Sequence, residues 1–211
     1  MRVILTAAAV LTLAASGATL AQMPTAPPGS TSTASITGGT YTADPSHTQV
    51  VWTLNHMGLS PYTGIFGDVT GTLSLDPKSL STAKVSMTIP VSKVTTAGAL
   101  SQHLLRPGKD GGKPDFFGAS PADATFVSTR VVATGMTATI TGNLTLNGVT
   151  KPVTLAAKFY GAGKTPPMMG GKENVGFTAT GDIKRSDFGL GFGVPIVSDA
   201  VHLDIAAAFQ K

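Results

Sequence analysis

Cysteine is absent from all 211 residues, which excludes a disulfide framework, thiolate metal sites, a cysteine nucleophile and lipid attachment at a cysteine. Charge is scarce as well, at 12% of residues, and the formal net charge of +4 is spread without a basic run. A dedicated nucleic-acid surface needs clustered Lys and Arg, so no nucleic-acid partner is expected. No Gly-x-Ser-x-Gly elbow occurs, and no serine has a context that implicates a neighbouring base. With no disulfide to staple the chain, its stability must come from an apolar core. The 25 glycines and few helix formers suit one globular domain in which that core is built by strands.

The N-terminal "MRVILTAAAVLTLAASGATLAQ" has one positive charge at Arg2, an apolar run, and small residues ending at Thr19-Leu20-Ala21. This is the pattern of a secretory signal, with cleavage expected after Ala21. Its strongly apolar part is shorter than the roughly 20 residues that a bilayer span needs. Residues 22–40, "QMPTAPPGSTSTASITGGT", are rich in Pro, Ser, Thr and Gly and offer little to offset the entropy of ordering. They read as a flexible leader, and the folded domain is expected over residues 41–211.

From Tyr41 onward the dominant signal is alternation. In "MTATITGNLTL", Ala138, Ile140, Gly142, Leu144 and Leu146 fall on one face and threonines and Asn143 on the other, a period of two. Val149, Val153, Leu155, Ala157 and Phe159 repeat the pattern, and the intervening Asn147-Gly148 predicts a tight hairpin because both residues tolerate positive φ. Further faces appear at Ile65, Val69, Leu73 and Leu75; at Val85, Met87, Ile89 and Val91; at Val175, Phe177, Ala179 and Ile183; and at Val201, Leu203, Ile205 and Phe209. With Gln49 to Asn55 and Ala124 to Val132 added, eight strands are predicted. Such strands pack as two sheets or close into a barrel. Gly67 and Gly71 on an apolar face predict bends, which favour the closed barrel. "TTAGALSQHLL" predicts a short helix between the third and fourth strands, with a Thr cap and Pro107 beyond its end. The fold class expected is therefore all-β, an eight-stranded antiparallel barrel with one short helix.

"GAGKT" at Gly161 to Thr165 is the tail of a phosphate-loop pattern, but Lys158 stands where the first glycine belongs and no helix follows, so chance explains it. The aspartates lie mostly at turns or on polar faces, where they usually bond their own backbone. The four histidines, His47, His56, His103 and His202, form no His-x-His or His-x-x-x-His pair, so no metal is expected. His47 is expected to order the approach to the first strand. His56 shares the face of Val50, Trp52 and Leu54, where it would be a polar group in or at the rim of an apolar interior. Small closed barrels are either filled by side chains or hold one ligand, and many Gly, Ala and Thr favour a cavity.

Several of these stretches, taken in order, resemble the YceI family of bacterial periplasmic proteins. "DPSHTQVVWTLNHMGLSPYTGIFGDVTGTLSLDP" resembles its opening block, with Asp44, His47, His56, Gly58, Gly64 and Phe66 in the expected order. "FFGASPADATFVS" resembles the middle block, "GNLTLNGVTKPVTL" is the most specific match, and "IKRSDFGLG" resembles the late one. The resemblance runs from about Tyr41 to the C-terminus. It implies a lipocalin-like barrel whose pore holds a polyisoprenoid or similar long amphiphile, an isoprenoid quinone included, and it implies periplasmic location and a homodimer in several members. The chain departs from the family where "LRPGKDGGKPD" is inserted. At a pore mouth, Arg106, Lys109 and Lys113 of this loop would attract an anionic head.

On this carrier reading, the wall or lid residues expected are Trp52, Leu54, Ile65, Val69, Leu73, Met87, Leu100, Leu104, Phe116, Phe117 and Phe177, with His56 as polar contact and no cofactor beyond the bound lipid. Two rivals remain at this stage. One is a secreted hydrolase or isomerase using His47 or His56 as general base. The other is a redox partner that presents a bound quinone to a membrane enzyme in transient contact.

Overall fold

The period-two faces become a continuous ladder of antiparallel strands. The structure, a computed structural model, describes residues 24–211; the expected signal over residues 1–21 lies outside the described residues. The strands are β1 (Gly29–Ser30), β2 (Gly39–Ala43), β3 (Gln49–His56), β4 (Ser60–Phe66), β5 (Thr70–Leu75), β6 (Lys84–Ile89) and β7 (Val94–Thr96), followed by helix α1 (Leu100–Leu104). Then come β8 (Ala124–Thr134), β9 (Thr137–Leu146), β10 (Val149–Lys164), β11 (Glu173–Lys184) and β12 (Val197–Gln210). Pairing runs β10-β9-β8-β6-β5-β2-β12 and returns through β11, which bonds to both β12 and β10, so an eight-stranded barrel closes on itself.

Three barrel strands carry an extension beyond a bend: the strand predicted over Ile65 to Leu75 is broken into β4 and β5, and the unpredicted β2 and β7 adjoin β3 and β6. β3 continues β2 along the same edge of β12, β4 precedes β5, and β7 follows β6, so β3, β4 and β7 extend the wall at one end. The bends have local causes. The Asp44 carboxylate accepts the Ser46 N–H at 3.0 Å and meets His47 Nδ1 at 2.7 Å, folding the chain between β2 and β3. Its hydrogen bond with His47 holds the Asp44 carboxyl below its ordinary value, against the opposing effect of burial. Between β4 and β5, Asp68 has φ +54°. That break shifts the phase of the alternation, so Ile65, expected on the inner face with Val69, lies on the outer face and is 36% exposed. Gly71 has φ +145°, and a Cβ there would lie 2.2 Å from the Ser86 carbonyl oxygen, so only glycine lets β5 and β6 approach at this bend.

The hairpin at Asn147-Gly148 forms as predicted, with φ +52° and +77°. Helix α1 is shorter than predicted. Its cap is Ala99, and the threonines expected to cap it belong to β7, where the Thr96 N–H donates to Ser101 Oγ at 2.8 Å. "GAGKT" lies in β10 and in the turn after it. Its glycines admit a backbone: a Cβ on Gly163 would stand 2.2 Å from the Pro28 carbonyl oxygen, because β1 pairs there.

Pairing of β1 lays the leader against the barrel, with Ile36 half-buried against Tyr41, Leu75 and Phe209. Glu173 ties it down, accepting the Thr37 N–H and hydroxyl at 2.8 Å each together with the Tyr41 hydroxyl. Burial opposes ionisation of Glu173, but these donors outweigh it and hold its pKa below the ordinary value of 4.5. A lowered carboxylate pKa stabilises the folded contact above the unfolded value, and that stabilisation is lost as pH falls through the folded one. Hydrogen exchange of residues 30–38 is therefore expected to accelerate as pH drops below about 4.5, after correction for intrinsic rates. Glu173→Gln should remove this pH dependence; an unchanged dependence in that variant would show that another group releases the leader.

Candidate functional site

Inside the barrel, the apolar side chains fill one end and leave the other hollow. At the filled end the turn after β11 inserts Phe188 and Leu190, 1% and 4% exposed, among Val91, Phe126, Leu146 and Val153. This plug is held by Arg185, a charged residue only 5% exposed. Its guanidinium donates to four backbone carbonyls: Nε to Ser198 at 2.8 Å, Nη1 to Leu190 at 2.5 Å and Phe192 at 2.7 Å, and Nη2 to Val197 at 2.8 Å. Burial pushes its pKa below the usual arginine value, partly opposed by the nearby Asp199 carboxylate. Asn147 Nδ2 adds a bond to the Phe188 carbonyl at 3.0 Å and fastens the β9–β10 turn to the same plug.

Above the plug lies a cavity of about 220 Å³. Val50, Val69, Leu73, Met87, Phe126 and Phe177 are among its lining residues, which include a few threonines and no charged side chain. The cause of the space is a register effect. Ala133 pairs Ala138, Ala138 pairs Ala157, and Ala157 pairs Ala179, so four neighbouring strands present the smallest side chain to the interior at one level. Ala207 of β12 also faces the cavity. The cavity reaches the barrel end formed by the β8–β9 turn and the β5–β6 connection, where Met136 and Leu80 line it and are 47% and 38% exposed. That end is the mouth.

Four of the residues expected in the wall, Val69, Leu73, Met87 and Phe177, do line the cavity. The others lie elsewhere. Trp52 and Leu104 are buried with Val94 and Val201 in a separate cluster at the closed end, against which Leu54, Phe116 and Phe117 pack. The Trp52 Nε1 and Tyr62 hydroxyl in this region are buried without a protein partner. Leu100 is 44% exposed on α1. His56 is exposed at the end of β3, its ring 6.3 Å from that of Tyr62, and it does not enter the cavity. The inserted loop with Arg106, Lys109 and Lys113 also belongs to the closed end: Arg106 bonds Asp115 at 2.9 Å, and Phe117 N–H donates to the Leu104 carbonyl. It therefore does not line the mouth, and its charges cannot attract a head group there.

The remaining histidines are scattered. His47 sits in the exposed Asp44 turn, His103 lies against the Phe116 ring at 5.3 Å, and His202 meets Asp182 at 2.8 Å, a contact that raises its pKa. Among the described residues no group of three or more His, Asp or Glu side chains is arranged to hold a metal ion; His202 lies between Asp182 and Asp204, but its two ring nitrogens face them separately. Of the lining residues missed individually by sequence reasoning, Val85, Phe159 and Ile205 carry the same alternation signal as those selected.

An antiparallel barrel closed at one end and open into an apolar hollow at the other defines a small binding-barrel class, in which the interior and not the outer surface is the site. The comparisons specify the family. The YceI-like domain family matches residues 41–209, and the chain belongs to that family. A UPF0312 protein of Pseudomonas aeruginosa strain LESB58 is 40% identical over 158 residues, covering 74% of this chain and 78% of its own. The solved YceI protein of Campylobacter jejuni shares 31% identity, covers 74% of this chain and 89% of its own, and superposes with a TM-score of 0.62. A polyisoprenoid binding domain from Saccharophagus degradans has the same fold at 15% identity, with a TM-score of 0.57 over 81% of this chain and 97% of its own.

Proposed function

We propose that the protein is a non-catalytic periplasmic carrier that encloses the apolar chain of a polyisoprenoid or similar amphiphile, with the head left at the mouth. The observation that carries this reading is the cavity made by register-paired alanines, which has an apolar lining and opens at one end. A lining without charge gives an isoprenoid tail nothing to desolvate. Each enclosed CH₂ contributes roughly 0.8 kcal/mol, so about ten enclosed carbons supply on the order of 8 kcal/mol before ordering costs. The polyisoprenoid binding domain of Saccharophagus degradans supports the same class of ligand through its shared fold. An isoprenoid quinone fits this class as well as an isoprenoid alcohol or phosphate, since the cavity reads the tail.

The direct test is mass spectrometry of an organic extract of mature protein, purified from the periplasm without detergent. A stoichiometric prenyl lipid is the expected result and would identify the cargo. A protein that arrives empty and also fails to take up added prenyl alcohols would end the carrier reading.

A further inference from the structure

The two ends of the barrel differ in charge. At the mouth end stand Lys78, Lys84, Lys158, Lys164, Lys172 and Lys211, against the carboxylates Asp44, Asp76 and Glu173, of which Asp44 is taken up by the Ser46 N–H and His47. Glu173 is already engaged by Tyr41 and Thr37, and Lys211 donates to Thr37 Oγ1 and the Gly38 carbonyl, each at 2.5 Å. Asp76 is turned to the Lys78 N–H at 2.9 Å. The other five lysines form no ion pair among the described residues, and all five are exposed.

The same end exposes apolar side chains. Leu80 and Met136 flank the opening, and Met168 and Met169, 51% and 60% exposed, cap the β10–β11 connection beyond it. The closed end also exposes apolar residues, Met57, Leu59 and Ile196 among them, but there seven cations, the loop's Arg106, Lys109 and Lys113 and the buried Arg185 included, are offset by eight aspartates, and Lys93 and Arg106 are already paired with Asp68 and Asp115. Charge therefore distinguishes two surfaces that hydrophobicity alone does not.

We infer that the mouth end is a docking surface for an anionic lipid bilayer. The lysines meet the headgroup charge while Leu80, Met136, Met168 and Met169 enter the boundary between headgroups and acyl chains. In that orientation the cavity opens onto the membrane, so an amphiphile passes between bilayer and barrel without its tail crossing water. The purpose of docking rests on the carrier reading; the contact itself does not, because it requires no ligand.

The test is sedimentation of the ligand-free protein with mixed phosphatidylethanolamine and phosphatidylglycerol vesicles, beside phosphatidylcholine vesicles, at low and high salt. Binding to the anionic vesicles alone is expected, weakening as the screening length falls from about 8 Å at physiological salt to about 3 Å at 1 M. A basic residue near an anionic surface raises partitioning about fivefold, so Lys158→Glu with Lys164→Glu and Lys172→Glu should lower it at least a hundredfold. The closed-end control Lys109→Glu with Lys113→Glu should leave it within about twofold, because those lysines do not face the membrane in this orientation. Uptake of a fluorescent prenyl alcohol in vesicle-free solution, measured on the same proteins, separates the two ideas. Wild-type protein that takes up the alcohol but ignores anionic vesicles overturns the docking inference and leaves the carrier reading standing. Vesicle binding with no uptake of the alcohol does the reverse. Equal loss of vesicle binding in the mouth and closed-end variants also overturns the inference, since it would mark a contact set by net charge and not by one face.

Discussion

Ala138→Phe combined with Ala179→Phe is expected to reduce affinity for a long-chain prenyl alcohol at least a hundredfold while the barrel stays folded. Both alanines belong to the level at which four strands present alanine to the interior, and the intervening strand separates them, so the two rings enter the cavity without facing each other across one strand pair. They are half-buried because the hollow reaches them, which leaves room for a ring. Each methylene excluded from the cavity forfeits roughly 0.8 kcal/mol, and losing about four of them lowers affinity by on the order of two decades. Titration with a fluorescent prenyl alcohol measures the loss, and a denaturation curve checks the fold. Leu54→Ala, which truncates the closed-end cluster, should show the opposite pattern: about 2–3 kcal/mol of lost stability with affinity within a fewfold of wild type. Unaltered affinity in the double phenylalanine variant would place the ligand outside this cavity.

Arg185→Ala is expected to lower unfolding stability by about 3–4 kcal/mol, a large share of what a domain of this size possesses. Removal of the guanidinium leaves the carbonyls of Leu190, Phe192, Val197 and Ser198 without their donor and frees the segment that holds the Phe188 plug. Arg185→Lys keeps the charge but not the planar fork, and one ammonium cannot serve four diverging carbonyls, so about half of the loss should remain. Urea denaturation gives the magnitude, and limited proteolysis between residues 189 and 197 gives the location. A loss under about 1 kcal/mol in the alanine variant would show that plug packing alone holds this end.

Alternation made the barrel legible. Nearly every inward side chain of β6, β9, β10, β11 and β12 was marked by its parity, and Asn147-Gly148 located a hairpin by its chemistry. Parity reports which side of a sheet a residue faces, however, and not its height along the barrel axis. Trp52, Leu54 and Phe177 therefore read alike in the sequence, although the first two close one end and only Phe177 borders the hollow. Height depends on register, and register also creates the alanine level: no single strand shows why Ala133, Ala138, Ala157 and Ala179 should meet. Ile65 was misplaced because one residue with positive φ, Asp68, reverses the parity on either side of it. Arg185 left no signal, since a charge between Lys184 and Ser186 in a turn reads as solvated, and only the folded path of residues 189–198 surrounds it with carbonyls.

Closure of the ring has a consequence for the protein's life in solution. A chain with an apolar interior open to its surroundings risks being recruited into aggregates, and in all-β proteins the usual route is an unpaired strand offering its backbone to another molecule. Here the eight barrel strands spend their backbone donors and acceptors on one another. The extension ends in the three-residue β7, with α1 beside it. The hollow itself is concave, and a second folded copy has no convex tail to fill it. The fold can keep a greasy hollow in water because its stickiness is shaped for a thin flexible guest.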